Sequence, residues 1–184
     1  MATEHTLRFA IRVATQDDLP ACLALDHSST SDFVWQVEAQ EAEGRIVYSF
    51  RTVRLPRPIA IACPQELEAL LASWQQRDPL LVAEGEGIIY GYLAMRLDQA
   101  RQTGWIGSLV VDRPWRRQRV GSALLLQARK LAQTNGLRRL TVETQTKNFP
   151  AISFCQRHGL VFCGFNDRYY PNQDIALFFS QSIR

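Results

Sequence analysis

The chain has 184 residues, 46% of them apolar and 21% charged, with a formal net charge of +3. That length suits one ordinary globular domain, able to bury about 70% of the surface its unfolded chain exposes, and excludes two large ones. Ten glycines and eight prolines, without a period or a low-complexity tract, exclude collagen and long disorder.

In chain order, Leu7, Phe9, Ile11 and Val13 alternate with Thr6, Arg8 and Arg12, the pattern of a strand with one buried face. Thr15-Gln16-Asp17-Asp18 is a capping-box signal and predicts a helix with Leu19, Cys22 and Leu23 inward. From Ser28 to Glu43 no period stands out. Phe33, Val34, Trp35 and Val37 there offer apolar surface to a second helix or a lid. Ile46 to Leu55 reads as a strand ended by Pro56-Arg57-Pro58. After Pro64, Leu67, Leu70, Leu71 and Trp74 fall on one helical face. Leu80 to Ala83 and Ile88 to Leu97 flank Glu84-Gly85-Glu86-Gly87, a hairpin signal. Trp105 to Val111 is the next strand. Val120, Leu124, Ala128, Leu131 and Ala132 then mark a helix, stopped by Asn135-Gly136. A strand over 138–145, a short helix over 149–158 and strands over 160–165 and 175–180 complete the chain. This order describes an α/β or α+β domain around a mixed sheet.

The longest apolar stretch, Ile88 to Met95, is far short of the about 20 residues of a membrane span. Met1-Ala2-Thr3-Glu4-His5 lacks the basic and apolar regions of a secretory signal. Cys22, Cys63, Cys155 and Cys163 form no C-x-x-C pair, and the histidines, His5, His27 and His158, have no ligand spacing. The expectation is a soluble cytoplasmic protein with reduced thiols, without a metal and without a membrane partner.

Charge is concentrated at one place. Arg113-Pro114-Trp115-Arg116-Arg117-Gln118-Arg119 sits between the strand ending Leu109-Val110-Val111 and the helix opening at Val120-Gly121-Ser122. Unpaired N–H groups at a helix N-terminus carry the positive end of the helix dipole and hold a phosphate well. Arginines add charge-assisted hydrogen bonds, and Gly121 permits close approach. The alternatives are a solvated turn or, with Trp115 interleaved, a nucleic-acid surface. No helix-turn-helix, zinc or aromatic-strand signature accompanies the latter, so no nucleic-acid partner is expected.

Val110 to Leu125 resembles the acetyl-CoA-binding motif of the GNAT N-acetyltransferases, R/Q-x-x-G-x-G/A, here Arg116-Arg117-Gln118-Arg119-Val120-Gly121. Arg119 stands where the family usually has its first Gly. A second stretch, Thr141 to Leu160, resembles the second GNAT motif, with Asn148-Phe149-Pro150-Ala151 as its N-x-x-A. Glu143-Thr144-Gln145, Asn148 and the tail from Gly164 look most like the streptothricin acetyltransferases.

The resemblance implies one N-acetyltransferase domain over residues 8–184 with a mixed, mostly antiparallel sheet flanked by helices. It implies acetyl-CoA as co-substrate and acetyl transfer to a primary amine of a small molecule or a lysine side chain, with room for a homodimer. Leu109, Val110 and Val111 would supply backbone contacts to the pantetheine; Arg116, Arg117, Gln118, Arg119, Val120, Gly121 and Ser122 would hold the phosphates; Asn148 would bond the pantetheine amides. For catalysis the family pattern is incomplete. Its usual Tyr falls at Cys155, and Gly107 and Ser108 stand where relatives often carry an acid. Tyr170 is then the candidate acid, with Tyr169 beside it and Cys155 as the alternative, and Glu143 is the candidate base. If these do not serve, the chain is a catalytically silent CoA-binding module. Asp32, Trp35, Glu38 and Tyr92 are candidates for lining an acceptor pocket.

Overall fold

A computed structural model of the chain describes residues 7–61, 66–76 and 78–183. Thr6, His5, Cys63, Pro64 and the side chain of Leu67 lie outside what is described. In chain order the elements are β1 (Ala10–Val13), a 3-10 turn (Gln16–Asp18), α1 (Leu19–Ala24), β2 (Ser29–Ala42), β3 (Arg45–Ile61), α2 (Glu66–Gln75), β4 (Leu80–Gly85), β5 (Ile88–Asp98), β6 (Thr103–Val111), a second 3-10 turn (Arg113–Trp115), α3 (Val120–Thr134), β7 (Arg139–Gln145), α4 (Phe149–Arg157), β8 (Val161–Asn166) and β9 (Ala176–Ser182). The expected class is the one found: helices with a mixed, mostly antiparallel sheet. The chain divides into two compact units. One holds the described residues up to His27, those from 66 to Val142 and those from Ser180 on; the other holds Ser28 to Ile61 and Glu143 to Phe179.

In the first unit the strand order is β1-β4-β5-β6-β7, antiparallel except for the β6/β7 pair. The hairpin signal at 84–87 becomes a tight turn with Glu86 at φ 54° and Gly87 at φ 74°, the left-handed pair whose twist matches the flanking strands. The capping box also forms, since Asp18 Oδ2 accepts from the Thr15 N–H at 2.7 Å. Arg12 ties it to the sheet, with Nη1 2.6 Å from Asp18 and Nε 2.6 Å from Glu84. That guanidinium holds the Asp18 carboxyl well below the usual carboxylate range. Cys22, Leu70, Leu80, Val82, Tyr92, Ala94 and Val110 form one core cluster, with Leu19, Leu23, Leu25 and Trp74 packed on it. Each large side chain buried there contributes about 1.5–3 kcal/mol. Helix α3 buries Val120, Leu124, Ala128 and Ala132, the face its spacing predicts, and Gly136 at φ 71° ends it.

The second unit departs from expectation. Residues 28–43 form neither helix nor lid but strand β2, paired over nearly its whole length with β3. Phe33, Trp35, Val37 and Ala39 lie opposite Arg54, Thr52, Phe50 and Tyr48, so the apolar period is two. This face meets the ring-bearing side chains of the same unit. Trp35 lies 5.8 Å from Phe162 and 5.7 Å from Phe179 between ring centroids, and Phe33 lies 5.2 Å from Phe149. Pro56 and Pro58 do not end β3 either. They fall where the register jumps, Ser31 facing Ile59 and Phe33 facing Arg54, so neither must donate to the ladder.

Candidate active site

In the first unit, β6 runs from the sheet into the arginine turn. Its register with β7 ends at Ile106↔Val142, whereas its register with β5 continues to Gly91↔Val111. Within the first unit, residues 107–111 pair on one edge only, with β5, and backbone groups on such an edge are what an extended, amide-bearing ligand needs. Gly91 sets the other edge. A Cβ there would lie 2.5 Å from the Val110 carbonyl oxygen, so β5 and β6 can close only because that side chain is missing.

The turn after β6 is held by its own residues. Asp112 accepts from the Arg113 N–H, Trp115 lies on Tyr90 with ring centroids 4.1 Å apart, and Gln118 Nε2 donates to the Pro114 carbonyl. Trp115 is thus committed to the protein's own sheet, which leaves the nucleic-acid reading without its stacking platform. Arg116 points inward as well. Its Nε donates to the Val111 carbonyl at 2.8 Å and Nη2 to the Asp26 carbonyl at 2.6 Å. Arg113, Arg117 and Arg119 are exposed, and no ion pair among the described residues engages them.

The backbone at Arg119 is left-handed, φ 66° and ψ 4°, at the position where the family pattern has Gly. An L residue there costs about 1 kcal/mol, and Arg117 at φ 63° is strained in the same way. With Arg119 so placed, its carbonyl accepts the first helical bond, from Ala123 at 3.0 Å, and no side chain caps α3. The positive end of the α3 dipole is open to an anion, with Val120 buried behind it and Gly121 and Ser122 in the first turn. Side chains and backbone alike fit a phosphate-bearing ligand.

In the second unit, Glu143 on β7 accepts a hydrogen bond from Tyr169 Oη at 3.1 Å. Tyr169 stands perpendicular to Tyr170, with centroids 5.1 Å apart, and edge-on to Phe178. Lys147 pairs with Asp174, and Tyr170 N–H donates to the Asp174 carbonyl, which ties this loop to the end of β7. Asn148 caps α4, its Oδ1 accepting from Ala151 at 3.1 Å, and among the described residues its side-chain amide N–H groups have no partner. Cys155 is only 1% exposed, and burial pushes its thiol up to about 12. It suits a small core filler better than a proton donor.

Residues 47–160 match the model of the acetyltransferase (GNAT) family. The chain belongs to the acetyltransferase (GNAT) family. Over 175 residues it is 26% identical to the streptothricin acetyltransferase of Streptomyces lavendulae, covering 92% of this chain and 90% of that one. The crystal structure of nourseothricin acetyltransferase superimposes with a TM-score of 0.83 at 24% identity, over 97% of this chain and 100% of that one. A candidate streptothricin acetyltransferase from Bacillus anthracis str. Ames, solved in complex with acetyl coenzyme A, gives 0.75 at 20% identity, over 95% and 99%. At these identities the two solved structures share the fold. A GNAT protein is an acetyl-CoA-dependent N-acetyltransferase, which is the enzyme class expected from the two motifs.

Three contacts lie outside the sequence reading. Tyr169 bonds Glu143, and a separation of 26 positions carries no local signal of the pairing. Asp112 anchors the turn, and a carboxylate before Arg-Pro is a turn-opening signal that would have shown it. His27 lies edge-on to Tyr92, with Nε2 3.4 Å from the Tyr92 hydroxyl; nothing in the spacing of the histidines points there. No helix of the described residues is long and apolar enough to cross a membrane.

Proposed function

We propose that this GNAT protein transfers the acetyl group of acetyl-CoA to a primary amine of a small molecule of the streptothricin type, with residues 8–184 working as one domain. The observation that carries this reading is the backbone of the turn. At the position of the family's Gly, Arg119 takes a strained left-handed conformation and opens an uncapped helix beside exposed arginines. The likeness along nine-tenths of the chain to a streptothricin acetyltransferase favours a small-molecule acceptor over a lysine side chain.

In this reading the open edge of Leu109, Val110 and Val111 binds the pantetheine. Arg117, Arg119, the Gln118 backbone and the first turn of α3 from Val120 to Ser122 bind the phosphates. Arg116 holds the turn in shape, and Asn148 offers its amide N–H groups to the pantetheine. A primary amine with a pKa of about 10.4 is protonated at neutral pH, so it must lose a proton before attack. Glu143 accepts that proton, directly or through a water, while Tyr169 orients its carboxylate. Tyr170 donates to the departing thiolate, a role to which the buried Cys155 is poorly suited.

A thiol-release assay of acetyl-CoA with streptothricin, aminoglycosides, polyamines and lysine peptides tests this, alongside calorimetry of CoA. Turnover with streptothricin or a related small amine is expected. Turnover with lysine peptides alone would contradict the substrate class, and CoA binding without any turnover would favour the silent module.

A further inference from the structure

The backbone of Asp26, just beyond α1, is gripped on both sides of its Cα by the arginine turn some 90 residues later. Its N–H donates to Asp112 Oδ1 at 2.9 Å, and its carbonyl accepts from Arg116 Nη2 at 2.6 Å. Neither gripping group is loose. The same Asp112 oxygen accepts from Arg113 N–H at 3.0 Å, and the Asp112 N–H donates to the Tyr90 carbonyl at 2.9 Å. The guanidinium is fixed through Nε to Val111, at the end of β6. The next residue, His27, is seated in turn. Its ring stands at 85° to that of Tyr92 with centroids 5.8 Å apart, and the Cys22 backbone accepts a hydrogen bond from it. Burial, foremost, holds the imidazole below its usual pKa and so favours the neutral ring.

Charge-assisted bonds, from a guanidinium to a carbonyl and from an N–H to a carboxylate, are the stronger kind, and here one of each fixes the two peptide planes that meet at the Asp26 Cα. An arginine is suited to this task because its planar fork reaches two carbonyls at once. A turn that binds an anion through Arg117, Arg119 and the start of α3 cannot change its backbone without moving the Asp112 and Arg116 groups between which Asp26 is held. Any change that a bound anion makes in the turn is thereby carried to the Asp26–His27 segment.

We propose that Asp112 and Arg116 are positioning residues that couple occupancy of the phosphate turn to the placement of the Asp26–His27 segment. The proposal rests on the reading of the turn as the site of CoA's phosphates. Arg116 thereby has a role distinct from that of its neighbours: it transmits ligand binding and is not itself a phosphate ligand.

The test uses the full-length protein with CoA, followed by calorimetry, by hydrogen exchange at the Asp26 amide and by the NMR signals of the His27 imidazole. In the unsubstituted protein CoA should slow exchange at Asp26 by about tenfold and shift the His27 signals. Arg116→Gln should still bind CoA but lose the His27 response. Asp112→Asn, which keeps the volume and an oxygen acceptor, should retain part of it. Arg119→Gln should do the reverse of Arg116→Gln, binding CoA more weakly while showing the full His27 response at saturation. Binding of CoA with no change at Asp26 or His27 would overturn the coupling alone, as would a full His27 response in folded Arg116→Gln. Absence of CoA binding in the unsubstituted protein would overturn the reading of the turn, and the coupling with it.

Discussion

The arginine turn of the first unit and the Glu143–Tyr169 pair of the second are built in different ways. The turn is made almost wholly from one stretch of chain, Asp112 to Ser122, whose shape is set by backbone angles, a packed Trp and bonds between near neighbours. The Glu143–Tyr169 pair joins residues far apart in sequence, is exposed, and leans on the loop that Lys147 and Asp174 hold. A site of the first kind, the proposed binding turn, is encoded locally. An arrangement of the second kind, the proposed catalytic pair, depends on contacts between distant residues of its unit.

Substitutions can break that contrast. The largest effect belongs to Glu143→Gln, which should lower kcat by about 10²–10⁴ while leaving the CoA Kd unchanged, measured by steady-state kinetics and calorimetry. Gly91→Ala should act on the other region, since the added methyl must push against the Val110 carbonyl. A loss of about 2 kcal/mol in denaturant unfolding and weaker CoA binding are expected.

A third test is the pH dependence of stability. Asp18 has a folded pKa below its unfolded value of about 3.9, so its contribution is fully present above that pH and is lost as pH falls through the folded pKa. Asp18→Asn should destabilise by about 1.5 kcal/mol at neutral pH and flatten the acid limb of the stability curve. The smallest effect is a gain. Arg119→Gly relieves the left-handed strain at the start of α3 and should stabilise by up to about 1 kcal/mol, partly offset by the freer unfolded chain. It should also weaken CoA binding, because a cation is removed from the turn.

The same contrast explains which features are legible in the sequence alone. Strands β4 to β6, helix α3 with its Gly136 stop, and the turn itself rest on short-range periodicity and local turn chemistry, and they lie where the spacing predicts. The β2–β3 hairpin was hidden because Val34 and Asp32 blur the alternation of Phe33, Trp35 and Val37, and because two prolines suggested an end where the ladder bulges. Yet its turn has a signal. Glu43 at φ 51° and Gly44 at φ 74° repeat the dipeptide and the left-handed φ pair of Glu86-Gly87, the turn between β4 and β5. At the candidate site, the motif residues of the turn were legible. The bond of Tyr169 to Glu143 was not, because adjacent residues in an irregular loop have no period to say which way each one faces.

The central claim is that the arginine turn binds the phosphates of acetyl-CoA. Its most direct test is calorimetry of the doubly substituted Arg117→Gln, Arg119→Gln protein against CoA and against pantetheine, which lacks the phosphates. The account predicts CoA affinity lower by about 10–100-fold with pantetheine binding unchanged. Equal CoA affinity in the double variant and the unsubstituted protein would contradict it.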